Sequence, residues 1–212
     1  SIDKVNLPFN TDDSFCVLSI SEWTKRKNFE CLIRSFILEF HDKPDAYLVI
    51  KTSLPAGMDK QSFLKEFEYI KQTTRVLGKP NIIVILDYLS NDKINYLYSV
   101  SDLFAITSYG EGFSLPTAQA VSLNVPVLCP DEGGHIDYLD KNNRYFVSGV
   151  WDTVFDAPPY DPDSNWYIPT IKSVREKLTL AYQDWKQKNN QALHSAQLNK
   201  VAATQPVFSK KS

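Results

Sequence analysis

A doubly wound α/β domain built on a parallel sheet is the fold that this sequence predicts, and two observations carry it. Six short, nearly continuous apolar runs recur along the chain, and the segments between them place apolar residues at helical spacing. Continuous runs fit strands buried on both faces, whereas a sheet wetted on one face would alternate apolar with polar residues.

The elements follow in order. FCVLSI at 15–20 is the first strand, and Phe29, Leu32, Ile33, Phe36, Ile37 and Phe40 then mark the apolar stripe of a crossover helix. AYLVIKT at 46–52 is the second strand, followed by a helix within 59–77 whose inner face is Phe63, Leu64, Phe67 and Ile70. IIVILDY at 82–88 leads to a helix over 92–100, LFAIT at 103–107 to one over 115–123, and PVLC at 126–129 to a short one over 133–140. RYFV at 144–147 is the last strand of the sheet. Right-handed crossovers fold such a βαβ string into a Rossmann-like sheet. Residues 150–169, with Pro158, Pro159, Pro162, Trp151 and Trp166, read as a long irregular excursion. A final helix from Thr170 to Lys188 and a polar, fraying tail from Asn189 complete the reading.

Composition narrows the function. The 212 residues, 43% apolar and 23% charged, suffice for one domain over 1–212 with a core at about 14–188. A net charge of −2, and no like-charge block longer than Lys25-Arg26-Lys27, argue against a nucleic-acid partner. Cys16, Cys31 and Cys129 are odd in number and sit in apolar runs, as reduced core residues would in a reducing compartment. Without an apolar run of membrane-spanning length or a basic-then-apolar leader, a cytoplasmic location is the expectation. Asp161-Pro162-Asp163 is ordinary turn chemistry, so no metal site is expected. His41 and His194 read as helix-end and tail residues, and His135 either caps its own short helix or touches a ligand. Trp151 and Trp166 read as packing anchors for the excursion.

The informative stretch is SYGEGFSLPTAQA at 108–120. Four of the seven glycines, Gly110, Gly112, Gly133 and Gly134, fall in two loops that each follow a strand. Glycine permits positive φ and close approach of a ligand, Ser114 can cap the following helix, and Pro116 suits its first turn. The amides of Gly112, Phe113, Ser114 and Leu115 would then face an anion such as a diphosphate. Glu111 is out of place beside an anion unless it grips sugar hydroxyls or faces developing positive charge.

The run GEGFSLPTAQAVSLNVPVLCPDEGG resembles the E-x7-E signature of the retaining GT-B glycosyltransferases of family 4, a pattern close to EGFGLPxxEAMAxGxPVIxxxxGG. SISEWTKRKNFECLIRSF resembles that family's first strand, phosphate loop and first helix, and the likeness covers about residues 5–148 well. It implies the C-terminal half of a GT-B fold, the half that binds a nucleotide-sugar such as a UDP-sugar or GDP-sugar. Hexose would be transferred with retention and without an essential metal or other cofactor. By position, Glu111 matches the glutamate near the reacting carbon and Lys27 the lysine on the diphosphate, with Arg26 as a helper. Gly112, Phe113, Ser114 and Leu115 match the loop on sugar and phosphate, and Gln119 stands where the second glutamate grips the ribose.

This chain departs from the pattern at Gln119, an amide in place of a carboxylate, and at Ser21-Glu22, where the family commonly has Gly-Arg. Some branches without that arginine keep a tryptophan followed by Arg-Lys, as Trp23, Arg26 and Lys27 do. The resemblance further implies an unknown acceptor held by an N-terminal domain that this chain lacks, and it allows peripheral membrane association of the full-length enzyme. The closing QPVFSKKS resembles the segment before the helix that crosses back to that domain. The isolated chain is therefore expected to bind donor without turning it over. The alternative is a non-catalytic nucleotide-sugar-binding or assembly module, for which Glu22 and Gln119 are the motive.

Overall fold

The structure, a computed structural model, describes residues 3–154 and 157–204, with side chains as far as 192. The 205–212 segment and the His194 side chain lie outside the described residues. Six strands, β1 (Phe15–Glu22), β2 (Ala46–Ser53), β3 (Asn81–Ile85), β4 (Leu103–Ala105), β5 (Val127–Pro130) and β6 (Phe146–Val147), form one sheet in the order β3-β2-β1-β4-β5-β6. Every pair is parallel, with β1 in register with β2 from Phe15 opposite Ala46 to Glu22 opposite Ser53. The predicted doubly wound sheet is the observed one, and the strand order reverses between β1 and β4.

Alternation along β1 explains why its run is continuous. Phe15 and Val17 enter one core with residues of α1 (Phe29–Phe40), α2 (Lys60–Thr74) and α5 (Ile171–Thr204). Cys16 and Leu18 enter the other, with Leu97 and Tyr98 of α3 (Asn91–Ser99) and Ala120 of α4 (Leu115–Ser122). A sheet covered on both faces demands apolar residues at every position. The three cysteines are free and buried, and burial pushes the thiols of Cys16 and Cys31 up to about 12, so they serve as core residues.

Four expectations need correction. Leu64 is exposed, leaving Phe63, Phe67 and Ile70 as the buried face of α2. The helix expected over 133–140 is a single 3-10 turn, Gly134–Asp137. The 150–169 excursion holds an antiparallel hairpin of β7 (Gly149–Thr153) and β8 (Asn165–Pro169). An exposed β7 carries no apolar alternation by which to recognise it. The last helix does not stop at Lys188; α5 runs to Thr204, because Lys, Gln, Ala and Leu sustain a helix after the buried Val174, Leu178 and Ala181 have anchored it. Among the described residues no helix is long and apolar enough to cross a membrane.

One half-buried carboxylate, at the amino end of the central strand β4, gives a stability prediction. Asp102 accepts the Cys16 amide at 2.9 Å, and burial pushes its carboxyl up to about 6 despite that bond. A raised carboxylate pKa means that the fold holds a proton the unfolded chain has released, so stability falls as pH rises from about 4 to 6 and stays lower above. Asp102→Asn keeps an acceptor for the amide without the charge. It is expected to stabilise the domain by about 1–2 kcal/mol at pH 7 and by nothing at pH 4, measured by urea unfolding.

Candidate functional site

The site lies where β1 and β4 end side by side. Trp23, buried after β1, stacks on Phe29 at 4.8 Å and meets Phe63 edge-on at 4.7 Å, so the loop that follows starts from a fixed point. A 3-10 turn, Lys25–Lys27, leads to Asn28, which adopts a left-handed conformation (φ 51°) and caps α1 by accepting the Cys31 amide. The Asn28 amide group donates to the Thr107 carbonyl at 3.1 Å, and the Thr107 hydroxyl donates to the Asn28 carbonyl at 2.8 Å. Tyr109 N–H donates to the Arg26 carbonyl at 2.9 Å. Two loops 84 residues apart in sequence are thereby stitched together across the reversal of strand order.

Their side chains meet at Glu111. Lys27 Nζ is 2.6 Å from Glu111 Oε1, and Arg26 is 3.3 Å from Oε2 while also donating to the Gly110 carbonyl. The side chains are 6% (Glu111), 14% (Lys27) and 25% (Arg26) exposed. Burial alone would raise the Glu111 pKa; the Lys27 hydrogen bond and the charges of Lys27 and Arg26 outweigh it and hold the carboxyl below its ordinary value. Two cations on one carboxylate leave a surplus positive charge. Glu111 is thus the counter-ion that gathers Lys27 and Arg26.

The 112–115 loop is set by the second glycine pair. Gly133 takes φ 121°, and the Gly134 amide donates to the Glu111 carbonyl at 2.9 Å. A Cβ on Gly134 would stand 1.8 Å from the Gly112 carbonyl oxygen, so only glycine fits. Gly110 and Gly112 do not use the positive φ open to them, and a Cβ at either would meet open space. What these two leave is an unobstructed face. Ser114 (φ 57°) occupies the N-cap of α4, yet its hydroxyl pairs with Thr117 Oγ1 at 2.8 Å and caps nothing. The Tyr138 hydroxyl donates to the carbonyls of Phe113 and Ser114. Phe113 and Leu115 are exposed, and the amides of 112–115 have no acceptor among the described residues.

The other candidates are placed as follows. Gln119, half-buried on α4, donates to Asn95 Oδ1 on α3 at 2.9 Å and makes no contact with Glu111, Lys27 or Arg26 among the described residues. Glu22 is exposed and lines a shallow cleft with Lys51 and Tyr88, on the β2 side of β1. His135 neither caps its turn nor faces outward: it is buried, Nε2–H donates to the Pro130 carbonyl at 2.8 Å, and burial lowers its pKa, so it stays neutral. Asp161 accepts the Asp163 amide as a turn residue does. Among the described residues no group of His, Cys, Asp and Glu is arranged to hold a metal ion. Trp166 is the buried anchor expected of it, stacked on Tyr109 at 4.9 Å, whereas Trp151 is exposed against Tyr167. Sequence reasoning missed Thr107, Asn95 and Tyr160, whose hydroxyl accepts from Arg26 Nε at 3.0 Å; nothing local in the sequence marks them.

The fold agrees with that of solved structures. A solved C-terminal domain of a glycosyl transferase group 1 family protein from Francisella tularensis is similar, with 20% identity, a TM-score of 0.59, and 81% of this chain and 77% of that one covered. An α,α-trehalose-phosphate synthase (UDP-forming) from Burkholderia xenovorans, in complex with glucose-6-phosphate, is 14% identical with a TM-score of 0.55 over 81% of this chain. This chain spans 36% of that synthase. The catalytic domain of a cholesterol-α-glucosyltransferase from Helicobacter pylori is 15% identical with a TM-score of 0.52, over 87% of this chain and 99% of that one. At these identities the likeness is one of fold, the Rossmann-like domain of GT-B proteins. No curated protein matches the chain by sequence. A family model described as "Glycosyl transferases group 1" matches residues 4–153, most of the chain, and the chain belongs to that family.

Proposed function

We propose that this chain is the nucleotide-sugar donor-binding domain of a retaining, metal-independent glycosyltransferase that moves a hexose from a UDP-sugar or GDP-sugar to an acceptor held by another domain. The observation that carries the reading is the pairing of Lys27 and Arg26 on buried Glu111, at the strand-order reversal and beside the open amides of 112–115. In glycosyl transfer the bond from the anomeric carbon to the diphosphate oxygen breaks, and negative charge builds on the leaving diphosphate. Lys27, Arg26 and the amides at the start of α4 supply fixed positive potential for that charge. Cations already in place cost no reorganisation during reaction, which supports transfer without a metal. Glu111 faces the opposite charge, that of the oxocarbenium-like sugar, and Gln119 with Asn95 offers amide groups to the ribose. Retention rests on the resemblance of the 110–134 run to the retaining signature.

The test is calorimetric titration with UDP, GDP, ADP and their hexose conjugates in the presence of EDTA. One nucleotide is expected to bind with a micromolar Kd that chelator does not change, while the chain alone transfers no sugar. Binding by none of them would overturn the reading. The alternative, a non-catalytic nucleotide-sugar-binding or assembly module, draws on Gln119, whose amide is already engaged by Asn95. It predicts that no chain containing this domain transfers sugar, even where nucleotide binds.

A further inference from the structure

The return leg of the hairpin excursion lies against the site. The Tyr160 hydroxyl accepts from Arg26 Nε at 3.0 Å, and its ring stands edge-on to Trp166 at 5.3 Å and 69°. Trp166 stacks on Tyr109, the Tyr167 amide donates to the Tyr109 carbonyl at 2.9 Å, and the Tyr109 amide donates to the Arg26 carbonyl. Tyr160 is therefore tied to the Arg26 loop both through its own hydroxyl and through the Trp166–Tyr109 stack. Its turn is internally braced, with the Tyr160 amide on the Ala157 carbonyl and the Ser164 amide on the Asp161 carbonyl, each at 3.0 Å. The family match ends at residue 153, so this leg lies beyond it.

The Arg26 guanidinium is held on two sides. Nε is taken by Tyr160 and Nη1 by the Gly110 carbonyl and Glu111, while Nη2 has no acceptor among the described residues. A planar fork fixed along two edges presents its third in one orientation, and a pre-set donor loses less freedom on binding an anion than a free side chain does. We infer that Tyr160 is a positioning residue for diphosphate recognition, its hydroxyl fixing the Arg26 guanidinium so that the Nη2 edge is presented to the ligand. The inference rests on the proposed reading of Arg26 as a diphosphate contact.

The test is a double-mutant cycle on nucleotide affinity, with UDP, GDP and ADP titrated calorimetrically into the unmodified chain, Arg26→Ala, Tyr160→Phe and the double variant, alongside thermal melts. Tyr160→Phe keeps the ring against Trp166 and removes only the hydroxyl. It is expected to weaken the tightest nucleotide about three- to tenfold with an unchanged melting temperature, and to add nothing on the Arg26→Ala background. If Arg26→Ala weakens binding and Tyr160→Phe does not, or if Tyr160→Phe weakens it equally in both backgrounds, the positioning role is wrong while the donor-site reading stands. If the unmodified chain binds none of the three, or Arg26→Ala leaves affinity unaltered, the reading of Arg26 fails and this inference with it.

Discussion

Replacing Glu111 with alanine is expected to lower the stability of the domain by about 2 kcal/mol at pH 7, since Lys27 and Arg26 would be left side by side without their counter-ion. A fully buried pair would cost more, but Lys27 and Arg26 retain some contact with water. The sign of the pH dependence follows from the lowered pKa of Glu111. A depressed carboxyl stabilises the fold at all pH values above its unfolded pKa, about 4.5, and that contribution is lost as pH falls through the lower folded value. Urea unfolding should therefore separate the two proteins at pH 7 and bring them together toward pH 3; a constant difference across that range would refute the ion-pair account. The same variant divides the two proposed roles. The gain in net positive charge should offset the loss of the contact that gathers Lys27 and Arg26, so nucleoside diphosphate affinity should change only a few-fold, whereas transfer in a chain that carries the acceptor domain should fall about a hundredfold or more.

Gly134→Ala should be the most damaging single-methyl change in the site. Its Cβ would stand 1.8 Å from the Gly112 carbonyl oxygen and 2.8 Å from the carbonyl carbon, both backbone atoms that no rotamer change can move. A cost of about 3 kcal/mol in stability is expected. Relief of the clash requires the loop of Glu111 and Gly112 to shift, so nucleotide affinity should fall more than tenfold as well. Gly110→Ala is the control: its Cβ meets nothing within 4 Å, and its backbone needs no positive φ, so stability should change by less than about 0.5 kcal/mol. Equal effects of the two substitutions on melting and affinity would contradict the packing argument.

The sheet was legible because burial on both faces writes itself into runs such as FCVLSI, where Phe15 and Cys16 enter opposite cores. The helices α1 and α2 were legible from their stripes, although Leu64 shows that one stripe position can face water. The β7–β8 hairpin was hidden because its pairing, Gly149 to Pro169, joins an exposed segment to one many residues on. In the sequence, the glycines and the Arg-Lys pair pointed to the two loops that the fold brings together. What they could not show is which glycine bears the strain, because the close contact of Gly134 with Gly112 is made in space. Nor could they show that Lys27 and Glu111 pair directly, or that a tyrosine from the excursion reaches Arg26, 134 residues earlier. Ser114 misled for a related reason: it stands at the cap position, and Thr117 takes its hydroxyl.

We propose Lys27 as the diphosphate cation, drawn into place by Glu111. Lys27→Met preserves most of the stem and removes the charge, so affinity reports the charge alone. Calorimetric titration of the tightest-binding nucleoside diphosphate into both proteins, at low and at physiological salt, should show the variant at least tenfold weaker and less sensitive to salt. Equal affinity and equal salt dependence would mean that the Lys27–Glu111 pair is only a structural brace between two loops.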